Sequence, residues 1–437
     1  MRFYGFLVAA AATFFMVLNS QQALADDSNL TLAQRDRSEA SDSKKEAPPL
    51  VEKFLLNGNV REGKQAVVEA LASHPEDDQL RFSLGVVQVI RTMEQFSQDI
   101  CFYGLRQTSK DGLETPFITI AVPLDRKANL ISHQNFQQII QRMVSGFEDA
   151  DKTLSQITDE NVHLRLHVGL IKLDLDGDGH CGEKEMLWRI YQEFHHNPGI
   201  VSSNANAFVI NFDRGDVHWL RGYLNLLASF LDMYLAYDTR ETFYFVAPAV
   251  FEKVDDLPAY FTDHKTVYPI ESNIFDAADM IAGLHSVHWN VADRTYLEKA
   301  LIKLDTVISE SRTSWKFILE ETDDDCEWLP NPRQKAAIPG MAVDDDMVRT
   351  WSALMDELER ILHGELLVPF WRGNNTGLGI NIRRLFLEPT SFDPILWVQG
   401  RAMTPYLEKG RLAKSDIWKR MERVFGDQAI DFAVWFN

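Results

Sequence analysis

The sequence predicts a mainly α fold: a multi-helix globular protein with one small β element. Apolar residues recur at helical spacing in both halves, strand-like alternation is confined to one short segment, and the stretches between are rich in Gly, Pro and Asn. The 437 residues are 45% apolar and include 27 Phe and 10 Trp, enough to fill a large core. A formal charge of −20 argues against nucleic acid or an anionic membrane surface as a partner, and is neutral about fold.

In chain order, Arg2 precedes an apolar run from Phe3 to Leu18, a polar stretch and Ala23-Leu24-Ala25. This layout is that of a secretory signal peptide over 1–25, cut after Ala25. Residues 26–49 are polar and charged and are expected to form a disordered leader ending at Pro48-Pro49. No later stretch is long and apolar enough to span a bilayer, so the expected location is exported, periplasmic or secreted, with no membrane contact after cleavage. Three cysteines, Cys101, Cys181 and Cys326, are too few for a disulfide scaffold and leave room for one bridge.

From Val51 the pattern turns helical, broken at Asn57-Gly58-Asn59 and again at His74-Pro75. The run GKQAVVEALASHPEDDQLRFSLG, 63–85, resembles the junction of two tetratricopeptide repeats, where small residues let helices approach and a proline ends one of them. The resemblance covers about one and a half repeats near 51–92, fewer than such arrays usually need. It implies a helical hairpin with a protein partner as its natural ligand. A further helix follows over His133 to Ile157, with Phe136, Ile139, Ile140, Met143 and Phe147 on one face.

The most informative segment lies at 174–185: Asp-Leu-Asp-Gly-Asp-Gly-His-Cys-Gly-Glu-Lys-Glu. Acids stand at positions 1, 3, 5 and 12 with glycine at 6, a coincidence expected by chance in about one of a few thousand chains of this length. Three Asp and a Glu in one loop repel each other unless a cation lies among them. The segment resembles an EF-hand calcium loop. That resemblance implies Ca²⁺ held by Asp174, Asp176 and Asp178 carboxylates, the His180 carbonyl, water at Gly182 and a bidentate Glu185. Gly179 supplies the sharp turn. The loop departs from the family in carrying Cys181 where an aliphatic residue pairs with a partner loop, and no second loop matches elsewhere. Upstream, Val162, Leu164, Leu166, Val168 and Leu170 alternate with polar residues as in a strand, while downstream Met186, Leu187, Ile190, Tyr191 and Phe194 fall at helical spacing. An unpaired strand, loop and helix suits a structural ion better than a sensor, which needs a helix pair that opens.

Helices are expected over about 215–237, 274–289, 293–321, 344–363 and 415–425. Asp293 and Asp344 stand at N-cap positions and Gly364 at a stop. The 215–237 helix is apolar nearly all round except for His218, Arg221, Asn225, Ser229 and Asp232, which form one polar stripe, either a solvent face or the lining of a pocket. His285 and His288 extend an apolar stripe from Ile274, Ala278 and Ile281 and are expected to face the core. They are either satisfied by hydrogen bonds or, with Asp276 or Asp279, ligands of a transition metal. Asp323, Asp324 and Asp325 add negative charge beyond the C-terminus of a helix, calling for a solvated loop, a nearby Arg or a counter-cation. Gly373, Gly377 and Gly379 lead into Asn381, Arg383 and Arg384, a plain loop or an anion cradle. The apolar residues Phe432 to Phe436 are expected to dock on the core.

No nucleophile elbow, H-E-x-x-H or Cys-x-x-Cys occurs, so no catalytic residue is assigned. The expected organisation is a signal peptide (1–25), a leader (26–49), an N-terminal helical region (50–157), the strand, loop and helix (158–200) and a mainly helical C-terminal part (201–437). The expected function is that of an exported calcium-binding protein with an interaction or scaffold role. The alternative is an exported hydrolase with a polar pocket near His218, Arg221, His285 and His288.

Overall fold

The computed structural model describes residues 47–105, 128–190, 205–257, 278, 281–337, 342–372 and 377–425. The segment expected to be a signal peptide, nearly all of the expected leader, Tyr191 to Phe194 and the C-terminal aromatic residues lie outside the described residues. The fold is mainly α. Among the described residues no helix is long and apolar enough to cross a membrane.

The N-terminal half begins with α1 (Glu52–Leu55), α2 (Val60–Ser73) and α3 (Asp78–Phe102), followed by α4 (His133–Leu154). Each long helix starts where its sequence offers an acceptor for orphan N–H groups. Asp77 Oδ1 accepts from Leu80 N at 2.9 Å, and Ser132 and Asn135 form a reciprocal capping box. α3 and α4 run antiparallel and close together because both carry glycine at the crossing. A Cβ on Gly85 would lie 2.4 Å from Leu154 Cδ2, and one on Gly146 would lie 2.3 Å from Thr92 Oγ1.

Strand β1 (Leu164–Leu166) pairs antiparallel with β2 (Ile210–Phe212), setting Leu164 opposite Phe212 and Leu166 opposite Ile210. Leu164 and Leu166 are buried and Arg165 is exposed, as alternation requires. The strand is shorter than the alternation from Val162 to Leu170 suggests, because Val168–Leu170 winds into a 3₁₀ turn. From β2 the chain enters α5 (Arg214–Leu235), then α6 (Arg240–Val250), the long α7 (Thr295–Glu320) and α8 (Asp345–Leu362). Asp344 caps α8 as expected, and Gly364 ends it with φ 75°. Asp293 acts one residue earlier than a cap, accepting from Thr295 N and Oγ1. The remainder is a three-stranded antiparallel sheet of β3 (Val368–Pro369), β4 (Leu378–Ile380) and β5 (Leu407–Lys409), with α9 (Ile382–Leu387), α10 (Pro394–Gln399) and α11 (Ser415–Phe425) around it. Strands of two or three residues are too short to show alternation in a sequence.

One apolar cluster runs from Val51 through α2, α3, α4 and β1 to Trp188 and on to Leu235 of α5. A second joins α7, α8 and the three-stranded sheet. α5 joins these cores, packing on both α4 and α7. α5 and α7 are antiparallel: Ser314 Oγ donates to Gly215 O near one end, and Lys303 reaches Asp232 near the other.

Candidate metal centre

The two arms of the 174–185 loop are zipped together at their base. Leu173 N donates to Glu185 O at 3.1 Å, Leu187 N donates to Ile171 O at 2.9 Å, and Lys172 bridges Met186. Lys172 N also donates to Leu55 O at 3.0 Å, tying the base to α1. After the loop Glu183–Glu185 forms a 3₁₀ turn, and helical structure is seen over 187–190, the last described residues of this segment.

Inside the loop each acid arrests the backbone of the turn. Asp174 Oδ2 accepts from Gly179 N, Asp176 Oδ1 from Asp178 N, and Asp178 Oδ1 from His180 N, at 3.2, 2.9 and 2.6 Å. Gly179 adopts φ 81° in open space, so backbone conformation and not crowding demands glycine there. Glu185 folds back over the loop, its Oε1 accepting from Leu175 N and its Oε2 from Gly182 N. This geometry brings carboxylate oxygens of Asp174, Asp176 and Glu185 within 4.8 Å of one another. Opposite ligands of a calcium ion with bonds of about 2.4 Å stand about that far apart. Asp178 and the His180 side chain stay on the exposed rim.

Burial distinguishes this cluster from a solvated acidic turn. Asp176 is 6% and Glu185 7% exposed, and Asp174 Oδ1 is shut off from solvent with no hydrogen-bond donor. An anionic oxygen without donor or solvent is costly, and a cation among these carboxylates would satisfy it. Burial raises the Glu185 carboxyl above its ordinary value, with the Asp176 charge adding to the effect and N–H groups of Gly182 and Leu175 opposing it. The Cys181 thiol is pushed up to about 11 by burial and then by the charges of Glu185, Asp174 and Glu94. The residues present therefore fit a hard, oxygen-seeking ion.

What supports the loop from outside lies far away in the chain and carries no local signal. Glu94 of α3, only 3% exposed, accepts the Asp174 N–H at 2.9 Å, and Gln98 Nε2 donates to Asp174 O at 2.6 Å. Ser97 Oγ donates to Leu175 O. Glu94 is itself held by Arg91 at 2.6 Å, while burial raises its carboxyl above the ordinary value. Cys181, at the place where paired loops meet, points at the turn after α1. Its Sγ lies where a Cβ on Gly58 would come within 2.2 Å, so Gly58 makes room for it. No disulfide joins Cys101, Cys181 or Cys326.

The other residues singled out by sequence are not gathered into one place. The stripe on α5 is neither a solvent face nor a pocket lining but a buried polar seam. His218 Nδ1 meets Glu310 Oε2 of α7 at 2.6 Å, and Arg221 meets Glu310 Oε1 at 2.6 Å and Asp151 of α4 at 2.9 Å. Asp232, fully buried, takes Lys303, which also reaches Glu148 at 2.6 Å. His285 and His288 do not face the core: both are exposed, as are Ala278 and Ile281 of the stripe they extend. His288 meets Asp393 at 3.2 Å beside the bridge from Trp289 to Phe392. Tyr237, just beyond the end of α5, bridges Val291, which puts these histidines at the end of α5 opposite His218. Seventeen residues of helix separate those ends by about 25 Å. Asp325 finds a nearby Arg, pairing with Arg165 at 3.0 Å. Arg384 is taken by Glu388 and Glu408, and Asn381 Oδ1 caps α9, so they form no anion cradle.

No protein-family model matches the chain, and no curated protein or solved structure was found to be similar to it.

Proposed function

We propose that this is an exported calcium-binding protein whose ion is a permanent part of the fold, bound by Asp174, Asp176, Asp178, the His180 carbonyl and Glu185. The observation that carries this reading is the donorless, solvent-shielded Asp174 Oδ1 beside the buried carboxylates of Asp176 and Glu185. A structural role is supported by the way the loop is fixed on three sides: by its own zipped arms, by Leu55 and by α3. A sensor needs an element free to swing, and among the described residues both arms of this base are hydrogen-bonded to each other. The hairpin of α2 and α3, which carries partly exposed Val68 and Met93, is the surface offered to a protein partner in a scaffold role.

Calcium binding to the folded chain alone stabilises it by about 2.7 kcal/mol at a hundredfold excess over Kd. Thermal unfolding with Ca²⁺ and with chelator is the test. Addition of Ca²⁺ should raise Tm, and Asp174→Ala or Glu185→Ala should abolish the rise. An unchanged Tm at millimolar Ca²⁺ would overturn the reading.

A further inference from the structure

Glu94, Ser97 and Gln98 recur at steps of three and one along α3, so they share one face of that helix. All three end on the backbone of the first two loop residues. Glu94 Oε1 accepts from Asp174 N at 2.9 Å, Gln98 Nε2 donates to Asp174 O at 2.6 Å, and Ser97 Oγ donates to Leu175 O at 2.7 Å. Leu175 N is taken from within the loop by Glu185 Oε1 at 2.9 Å. Side chains thus fix the N–H and the carbonyl of both Asp174 and Leu175.

The residues of this clamp are themselves oriented from behind. Arg91 Nη1 donates to Glu94 Oε2 at 2.6 Å and to Gln98 Oε1 at 3.2 Å. Holding those two oxygens leaves Glu94 Oε1 free for the Asp174 N–H and Gln98 Nε2 free for the Asp174 carbonyl. Glu94 and Ser97 are each 3% exposed, so water competes little for these bonds. The carboxylate they steer is the one with an oxygen to spare: Asp174 Oδ2 accepts from Gly179 N, while Oδ1 is buried and has no donor. A backbone held at successive N–H and carbonyl groups fixes the direction of its Cβ, and so aims that carboxylate before any ion arrives.

We infer that Glu94, Ser97 and Gln98, with Arg91 behind them, are positioning residues that set the calcium affinity of the loop by pre-aiming Asp174, an inference that rests on the loop's being the calcium site. They act on the ion through the backbone of Asp174 and Leu175. Ordering a ligand in advance removes part of the entropic cost of binding. Loss of such supporting hydrogen bonds weakens metal binding about 10–100-fold. Affinity is therefore governed in part by a helix some eighty residues away in the chain, and Arg91 governs it through Glu94 and Gln98.

The test is the Ca²⁺ Kd of the full chain, by calorimetry with chelator competition, beside the Tm of the metal-free protein. Gln98→Met keeps the length of the side chain and removes its donor, and should raise Kd about 10–100-fold; Arg91→Ala and Glu94→Ala should do the same. Glu94→Gln, which keeps an acceptor for the Asp174 N–H, should lie nearer the wild type. Glu310→Ala is the control for general loss of stability, lowering Tm and leaving Kd unchanged. Eu³⁺ luminescence lifetimes in ordinary and heavy water count coordinated waters. Gln98→Met should bind Eu³⁺ with about one water more than the wild type, because a misdirected Asp174 yields its place to solvent. Should Glu94→Ala not fold, Gln98→Met and Glu94→Gln give the same reading. A wild type that binds no Ca²⁺ would overturn the calcium reading and this inference together. Wild-type binding with Kd and water count unchanged in Gln98→Met and Arg91→Ala would overturn this inference alone.

Discussion

Glu94 of α3 holds the first residue of the acidic loop by its backbone: its Oε1 accepts the N–H of Asp174 at 2.9 Å while Oε2 is fixed by Arg91. Eighty residues separate the partners in the chain, so this support reaches the loop only through the packing of α3. Glu94→Ala leaves the Asp174 N–H without its acceptor and takes from Arg91 its charged partner, leaving it only the amide oxygens of Gln95 and Gln98, and we expect a loss of about 2 kcal/mol or more in urea unfolding. Glu94→Gln keeps an acceptor and should lose less than half of that.

Asp78 links the start of α3 to the end of the α4 segment and makes stability depend on acid. Burial alone would raise its carboxyl, but N–H groups of Thr158 and Asp159, the Arg81 charge and the Thr158 hydroxyl outweigh it and set the value below the ordinary 3.8. A carboxyl lowered by folding stabilises fully above its unfolded value, and that stability is lost as pH falls through the folded one. Asp78→Asn should therefore cost about 1–3 kcal/mol at pH 7. The difference from wild type should shrink as unfolding is measured below pH 3.8.

Glu310 is the shared acceptor of the buried seam, serving both His218 and Arg221. Removing one member of a buried charged network strands the others, at a cost of about 3–5 kcal/mol. We expect Glu310→Ala to lower the unfolding free energy, measured by denaturant titration, by that amount, and Glu310→Gln, which still accepts from Arg221, to lower it by less.

Gly85 sets the approach of α3 to α4, where a Cβ on it would meet the side chain of fully buried Leu154. Gly85→Val should cost about 1–3 kcal/mol by overpacking despite the better helix propensity of Val. A stability equal to wild type would show that the two helices can separate freely.

Cys181 carries a thiol at about 11, against an ordinary 9.0. About a hundredfold less thiolate follows at a given pH. Alkylation at pH 8 should thus be slow in the folded chain and accelerate by about that factor in urea, followed by mass spectrometry of the 174–185 peptide.

The helices were legible because their signals are local. Periodicity marked the segments that became α3, α4, α5, α7 and α8, and Asp344 and Gly364 marked ends through hydrogen bonds spanning only a few residues. The acids of 174–185 were legible for the same reason, since one loop supplies them all. Where a polar residue points, and what meets it there, depends on elements far away in the chain. Polarity of His218, Arg221 and Asp232 suggested solvent or a pocket, yet α7 brings Glu310 and Lys303 to them and turns the stripe inward. His285 and His288 continued an apolar stripe, yet the structure leaves that face exposed. Glu94 and Gln98 carried no signal, because each gains its partner at Asp174 only by long-range packing. The sequence by itself determined the long helices and the acidic loop at 174–185. Tertiary structure alone decided which charges are buried together, because burial and proximity are properties of packed elements and not of any one segment.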